Sequence, residues 1–189
     1  PASLWPSSAE LFRFLPEIIL TLTGVLIMVL EPLTREESKR NLAWIAFAAL
    51  AASLFASILV MGEGGYAFNR MLVVDGFGTF FRVLVCTVGL LTIMLSMSYL
   101  DREKHQQGEY YALLLFSITG QCIMATANEL IMVFIGIEVS SIASYVLAGY
   151  IKDDKRSNES AMKYFLLGSF ATAFLLYGVS WIYGLTGTT

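Results

Sequence analysis

Charged residues are scarce in this sequence. They make up 14% of the 189 residues, against 57% for hydrophobic residues, whereas soluble domains carry about 25% charged residues. The mean hydropathy of +0.69 points the same way. This composition excludes an ordinary soluble domain and favours an integral membrane protein. The net charge is −3 and no long basic run is present, so no nucleic-acid partner is expected.

Side chains that bind metals and cofactors are also few. The one histidine is His105, in a polar segment, and the two cysteines, Cys86 and Cys122, lie inside apolar runs. These residues cannot assemble a haem or iron–sulfur site within the chain. The cysteines are expected to behave as small apolar residues rather than to form a disulfide. No cleavable signal peptide is expected, because the first apolar run is long and lacks a basic leader.

Long apolar runs are what the sequence does have. A helix that spans a membrane needs about 20 mostly apolar residues. Six runs are predicted to form such helices, at about residues 11–31, 42–61, 77–100, 110–127, 129–150 and 158–183. The fourth and fifth are separated by a tight turn, where Asn128 is predicted to be the N-cap of the fifth helix. The predicted fold is an all-α integral membrane protein with a single transmembrane domain over residues 1–189.

The basic residues predict the direction of these helices. Eight of them lie in the connections that follow the first, third and fifth helices: Arg35, Lys39, Arg40, Arg102, Lys104, Lys152, Lys155 and Arg156. By the positive-inside rule these connections face the cytoplasm, and both ends of the segment then face outward. Arg70 lies in an outer connection, and Arg82 is expected to extend from the third helix to the outer surface.

Most acids of the apolar runs lie near helix ends. Glu17 follows a proline at the start of the first helix, and a capping role is favoured there over a role in transport. Four others are interpreted as interfacial or as first-turn and capping acids: Glu31, Asp75, Glu109 and Glu129. None of these positions requires a function.

Glu138 differs from these acids in its depth. It lies about 15 Å from Asn128 and about 18 Å from Tyr150 along the fifth helix, which places it near the middle of the bilayer. One interpretation is a protonated side chain that is hydrogen-bonded to a neighbouring helix. The other is a titrating group on an ion path. Ser141 and Tyr145 lie on the same face and form a polar stripe that could hold water, widened by Ser140 and Ser144.

Lys163 is the second unusual charge, about 7 Å inside the sixth helix. It could extend to the cytoplasm or pair with Glu159 one turn earlier. It could also act together with Glu138, because a short connection makes the fifth and sixth helices antiparallel neighbours. The two charges would differ in depth by about 10 Å, a gap that one or two waters could bridge. Moving two such opposite charges together or apart changes the proton affinity of each.

The stretches NELIMVFIGIEVSSIASYVLAGY and SNESAMKYFLLGSFATAFLLYGVSWIYGLTGT resemble the N-type subunit of proton-translocating NADH:quinone oxidoreductase, respiratory complex I. LPEIILTLTGVLIMVLEP, VVDGFGTFF and GEYYALLLFSITG extend the resemblance to nearly the whole chain. The ferredoxin-dependent complex of chloroplasts and cyanobacteria has a similar subunit. Multi-subunit sodium/proton antiporters are more distantly similar.

The resemblance implies roles for two residues. Glu138 matches the essential glutamate of the family's fifth helix, and Lys163 matches a lysine of the sixth helix in its proton path. The family fold has about fourteen helices in inverted repeats, an architecture with its sites near the midplane. This chain is therefore expected to be the N-terminal part of a longer protein, and the later channel lysines have no counterpart in it.

The resemblance also implies the setting of the chain. Its proton translocation would be driven by quinone reduction in other subunits, which carry the NADH, FMN and iron–sulfur sites. No cofactor and no direct NADH contact are expected in this chain, whose partners would be other membrane subunits and the lipid of a bacterial inner membrane. Two alternatives remain open, a subunit of a multi-subunit cation/proton antiporter and a structural membrane anchor. The motifs PEIILTL and AMKYFLLGSF favour the redox-driven pump.

Overall fold

The computed structural model describes residues 6–34, 39–103 and 108–189. Within these ranges the chain forms helices and one small hairpin, which are α1 (Ser8–Arg13), α2 (Leu15–Leu30), α3 (Lys39–Val60), β1 (Gly65–Ala67), β2 (Leu72–Val74), α4 (Gly76–Glu103), α5 (Gly108–Thr126), α6 (Leu130–Ala148) and α7 (Lys155–Thr186). Short 3-10 turns follow α2 at Glu31–Leu33 and α3 at Met61–Glu63. Arg35, Lys104 and His105, which entered the sequence interpretation, lie outside the described residues.

The long helices α2 to α7 lie where six membrane helices were predicted, but the first predicted helix is divided. Phe14 (φ −96°, ψ 8°) separates α1 from α2. Ser7 and Glu10 form a reciprocal capping box that starts α1. Arg13 ends α1 and donates hydrogen bonds to the carbonyls of Glu63 and Tyr66. α1 is therefore tied to the connection that follows α3 rather than continuing into the membrane helix.

α5 is the central helix of the bundle. Five of the long helices in the described ranges are long and apolar enough to cross a membrane, and α5 is not among them. It is enclosed by α2, α3, α4 and α6, and its residues Tyr111, Leu115 and Cys122 are fully buried. Because its neighbours shield it from lipid, α5 can carry hydroxyl and amide groups that a lipid-facing helix would not tolerate.

α6 and α7 form an outer layer on one side of this core. α6 packs closely on α5 at two glycines, where a Cβ on Gly120 would lie 2.6 Å from the carbonyl oxygen of Gly136. α7 packs mainly on α6, and Val179 is its buried residue. α2 to α5 thus form a packed core, whereas most of α7 presents apolar side chains outward.

The hairpin caps the end of the bundle where α4 and α6 begin. Its strands pair antiparallel, with Tyr66 opposite Val73. Asn128 donates from its backbone to Met71 and from its side chain to the carbonyl of Arg70. The prediction that Asn128 caps α6 is therefore wrong, and Glu129 is the N-cap residue, without a side-chain capping bond. The N–H groups of Asn128 need acceptors, which the hairpin carbonyls provide. The free backbone groups at the start of a helix are N–H donors and cannot accept them.

Candidate functional site

Glu138 lies close to the middle of α6. It is about 12 Å from Leu130 and about 15 Å from Ala148 along the helix axis, and its side chain is half-buried. The sequence predicted this depth from the limits of the apolar run. A charge at such a depth cannot reach either interface, so its partners must come from neighbouring helices or water.

The rotation of α6 determines which helix Glu138 faces. Gly136 and Ser140 face α5, because a Cβ on Gly120 would touch both of them. Tyr145 faces α7, where its ring makes edge contacts with Tyr164 at 4.7 Å and Phe165 at 5.7 Å between centroids. At about 100° per residue, Glu138 lies opposite Gly136 and close to the direction of Tyr145. Glu138 is therefore on the α7 side of α6.

The polar stripe predicted around Glu138 is only partly observed. Ser141 and Tyr145 lie on the same side of α6 as Glu138. Ser140 instead turns to α5, where its hydroxyl is 3.1 Å from that of Ser117. The hydroxyl of Ser144 donates to the carbonyl of Ser140 in its own helix. The prediction that these two serines widen the stripe is wrong, because the glycine contact with α5 fixes the rotation of the helix.

Two contacts give the register between α6 and α7. A Cβ on Gly149 would lie 2.8 Å from that of Ala161, and Gly168 lies against the ring of Tyr145. The helices are therefore antiparallel, and Lys163 is level with a position about nine residues after Glu138. The difference in depth is about 13 Å, similar to the gap expected from the sequence.

Lys163 is on the outward side of α7. It is two residues from both Ala161 and Phe165, which face α6, and hence points away from α6. Its ammonium group forms a 2.5 Å ion pair with Glu159, and the two side chains are 70% and 64% exposed. The structure thus brings Lys163 and Glu159 together, as one interpretation of the sequence proposed. It places Glu138 on the other side of α7 from Lys163.

A buried ion pair that the sequence interpretation missed joins α2 to α4. Arg82 donates from Nε and Nη2 to Oε1 of Glu17, both at 2.7 Å, and the two side chains are 1% and 0% exposed. The prediction that Arg82 extends to the outer surface is wrong. Glu17 does lie in the first turn of α2, after a proline, as the sequence predicted, but its pairing with Arg82 was not predicted. Both residues lie within the first two turns of their helices, at the same end of the bundle. The sequence could have predicted this pair, because Glu17 and Arg82 have opposite charges and lie at similar depths in their helices.

Other buried polar groups surround this α2–α4 ion pair. The hydroxyl of Ser53 donates to the carbonyl of Pro16 and lies 3.7 Å from the sulfur of Cys86. Oε2 of Glu17 and Nη1 of Arg82 have no hydrogen-bond partner among the described residues. Cys86 and Cys122 are free and buried, as the sequence predicted. No group of three or more potential metal ligands occurs in the described part of the chain.

A known protein family matches the part of the chain that contains Glu138 and Lys163. A family described as "NADH:quinone oxidoreductase/Mrp antiporter, TM" matches residues 127–189. This match begins at the turn between α5 and α6 and includes both Glu138 and Lys163. It covers a third of the chain.

Relatives match nearly the whole chain. NADH-quinone oxidoreductase subunit N 1 of Solibacter usitatus (strain Ellin6076) is 62% identical over 94% of the chain, which spans 36% of that relative. A chain in the structure of respiratory complex I from Thermus thermophilus with bound aureothin superposes with a TM-score of 0.76 at 29% identity. That match covers 92% of this chain and 37% of the other.

A further solved structure supports the fold alone. A chain of the archaeal membrane-bound sulfane sulfur reductase superposes with a TM-score of 0.73 at 20% identity, over 93% of this chain and 38% of the other. Taken together, these similarities confirm the resemblance that the motifs indicated and the predicted all-α integral membrane fold. The chain spans little more than a third of the relatives that it matches.

Proposed function

We propose that this chain, a relative of the N-type subunits of NADH-quinone oxidoreductases, is part of a membrane subunit that translocates protons in a redox-driven complex. In this proposal the chemistry of NADH, flavin, iron–sulfur clusters and quinone belongs to other subunits of a bacterial inner membrane complex. The connections rich in Lys and Arg face the cytoplasm, and both ends of the segment face the periplasm. The name of the relative that is 62% identical supports the proposal.

The observation that carries the proposal is the position of Glu138. It is a half-buried carboxyl group in the middle of α6, on the side that faces α7. Such a group can hold a proton out of reach of both aqueous phases, as a stepwise path across a membrane requires. Ser141 and Tyr145 line the same side and offer hydroxyls to water molecules that would pass the proton on.

Lys163 supplies the second titrating group. Its partner in the structure is Glu159, and both side chains lie on the surface of the bundle, so no packed neighbour has to move when Lys163 changes its partner. When Lys163 leaves Glu159, its ammonium group becomes available to donate to a water molecule instead. The proton then moves from Nζ through water to the carboxylate of Glu138, and the return of a proton to Nζ restores the pair. Glu159 thus holds the ammonium group of Lys163 between transfers.

A second candidate function is a subunit of a cation/proton antiporter. The family description that matches residues 127–189 names both classes, and the roles of Glu138 and Lys163 would be the same. The driving force would differ. An antiporter exchanges protons for sodium without NADH oxidation, whereas a redox-driven subunit takes up protons only while electrons flow.

The test is proton uptake in membrane vesicles that carry the full-length chain in its complex. We expect Glu138→Gln to lower NADH-driven proton uptake about 100-fold, since a positioned proton-transfer group contributes at least that factor. Lys163→Ala should have a similar effect. Sodium-driven proton exchange, measured in the same vesicles without NADH, identifies the antiporter alternative.

Matched control variants lie on the same helices. Glu129→Gln neutralises an acid at the start of α6 that makes no capping bond, and Lys155→Ala removes a charge at the start of α7. Both should pump as the unmodified complex does. Normal pumping by both Glu138→Gln and Lys163→Ala would leave the chain as a structural membrane anchor.

A further inference from the structure

Gly168 of α7 lies directly against Tyr145 of α6. A Cβ at residue 168 would overlap the hydroxyl oxygen of Tyr145 and lie 2.5 Å from its Cζ. The phenol thus reaches the backbone of α7 at a place where any side chain would push it away. A larger residue at this position would require either the ring or the helix to move.

Two aromatic residues hold the same ring from the side. Tyr164 and Phe165 contact it edge-on, and both lie within one turn of Gly168 on α7. We call these three residues the Tyr145 seat. Tyr145 is only 8% exposed, so the seat fixes its ring in one position. Packing alone would be satisfied by a phenylalanine, since none of the seat contacts involves a hydrogen bond to the hydroxyl.

The seat lies between α6 and α7, at a level between those of Glu138 and Lys163. Tyr145 is seven residues from Glu138 on the same side of α6, about 10 Å closer to the level of Lys163. Lys163 is on the other side of α7, so a proton that moves between the two groups has to go round that helix. Gly168 has no side chain, so the hydroxyl of Tyr145 can approach the backbone of α7 there.

The chemistry of the hydroxyl suits this place. A phenol can accept one hydrogen bond while it donates another. When a water molecule on the Lys163 side donates a proton to the hydroxyl oxygen, the hydroxyl releases its own proton on the Glu138 side. The hydroxyl is restored and no net charge remains on it.

We propose that Gly168 is a positioning residue for proton transfer, because it seats the hydroxyl of Tyr145 at the crossing from α6 to α7. This inference rests on the proposed function and adds to it a residue without a titratable group. It also gives Tyr145 a specific task, to connect the water near Glu138 with the water near Lys163.

The test compares variants of the full-length chain in its complex, with the rate of NADH-driven proton uptake at several pH values as the readout. Tyr145→Phe removes only the hydroxyl and leaves the ring in its seat. We expect it to lower the rate of proton uptake about tenfold, the loss of one ordinary hydrogen bond, and to change the pH profile. Gly168→Ala should have the same effect by displacing the hydroxyl.

The matched control is Gly178→Ala on the same helix, where no atom of the described residues lies within 4 Å of the added Cβ. It should pump normally. Gly168→Ala and Tyr145→Phe act through one group, so their double variant should be no worse than the stronger single variant. If Gly168→Ala fails to assemble, Tyr145→Phe decides the question.

Normal pumping by Tyr145→Phe overturns the inference, whatever Gly168→Ala does, because the glycine would then only make room for a ring. Normal pumping by an assembled Gly168→Ala overturns it as well. Glu138→Gln separates this failure from that of the proposed function. If Glu138→Gln stops pumping while the other two variants do not, the path exists and the crossing lies elsewhere.

Discussion

Two ion pairs of the same chemistry occupy opposite parts of this molecule. Glu17 and Arg82 are buried at 0% and 1% exposure and join α2 to α4 across 65 residues of sequence. Glu159 and Lys163 are 64% and 70% exposed and lie one turn apart on α7. The first pair is enclosed by the core of the bundle, and the second lies on its outermost helix.

The difference between them concerns how easily each can change partners. Removing one member of a buried pair leaves an uncompensated charge and costs about 3–5 kcal/mol. An exposed pair contributes about 0–1 kcal/mol. The α2–α4 ion pair is therefore suited to fix two helices relative to each other. The Glu159–Lys163 pair is suited to open and close during a proton cycle.

The largest expected effect follows from the buried pair. Arg82→Gln should lower the free energy of unfolding by about 3–5 kcal/mol, because the carboxyl group of Glu17 would stay buried without its charged partner. Graded denaturation in mixed detergent micelles measures this loss. The double variant Glu17→Met/Arg82→Met should be more stable than either single substitution, since it leaves no buried charge.

Arg70→Gln is the control that removes an arginine charge from a position outside the core. Arg70 lies over the ring of Tyr66 in the hairpin, outside the core, and its loss should cost about 1 kcal/mol or less. An Arg82→Gln variant that is as stable as Arg70→Gln would contradict the comparison, because burial would then make no difference.

Glycine packing sharpens the same contrast between core and outer layer. Gly120→Ala should destabilise the protein by about 1–3 kcal/mol, since its Cβ would press on the backbone of Gly136 and force the helices apart. Gly178→Ala meets open space and should leave the denaturation midpoint unchanged or slightly raised. Equal destabilisation by the two substitutions would contradict the tight contact between α5 and α6.

The sequence predicted features that depend on one helix at a time. The six apolar runs, the depth of Glu138 and the i,i+4 pair of Glu159 with Lys163 all follow from length and local spacing. Asp75 was predicted to cap α4, and its carboxylate does accept from the backbone of Gly78 at 2.7 Å. These features need no knowledge of neighbouring helices.

What the sequence did not predict depends on how the helices are rotated. A helix in a membrane is apolar on its lipid side and on its core side, so hydrophobic periodicity does not indicate which side faces inward. The partners Glu17 and Arg82 were therefore assigned separately to helix ends. Ser140 was assigned to the side of Glu138 for the same reason. The contacts of α6 with α5 and with α7 orient that helix.

For the pair of Glu159 and Lys163 we expect a substitution that changes proton uptake but hardly changes the free energy of unfolding. Glu159→Gln should change the free energy of unfolding by less than about 1 kcal/mol, yet it should lower NADH-driven proton uptake because Lys163 loses its partner on α7. Denaturation and pumping are measured on the same preparation. Ser157→Ala, two residues earlier, removes a hydroxyl that donates to the carbonyl of Ala148 and should not affect pumping. Normal pumping by Glu159→Gln would remove the pair from the proton cycle.

The smallest expected effect concerns Glu10, a partly buried acid that ties α1 to the hairpin. Hydrogen bonds from the backbone and hydroxyl of Ser7 and from the backbone of Phe68, with the nearby charge of Arg13, hold the pKa of Glu10 below its ordinary value of 4.5. A lowered pKa in the folded state means that these bonds stabilise the cap at neutral pH and are lost as the pH falls through that lower value. Amide hydrogen exchange at Phe68 should therefore accelerate when the pH falls below that lowered pKa, relative to its intrinsic rate. In Glu10→Gln the same amide should exchange faster already at pH 7 and show no acid step, whereas an acid step that persists in this variant would assign the titration to another group.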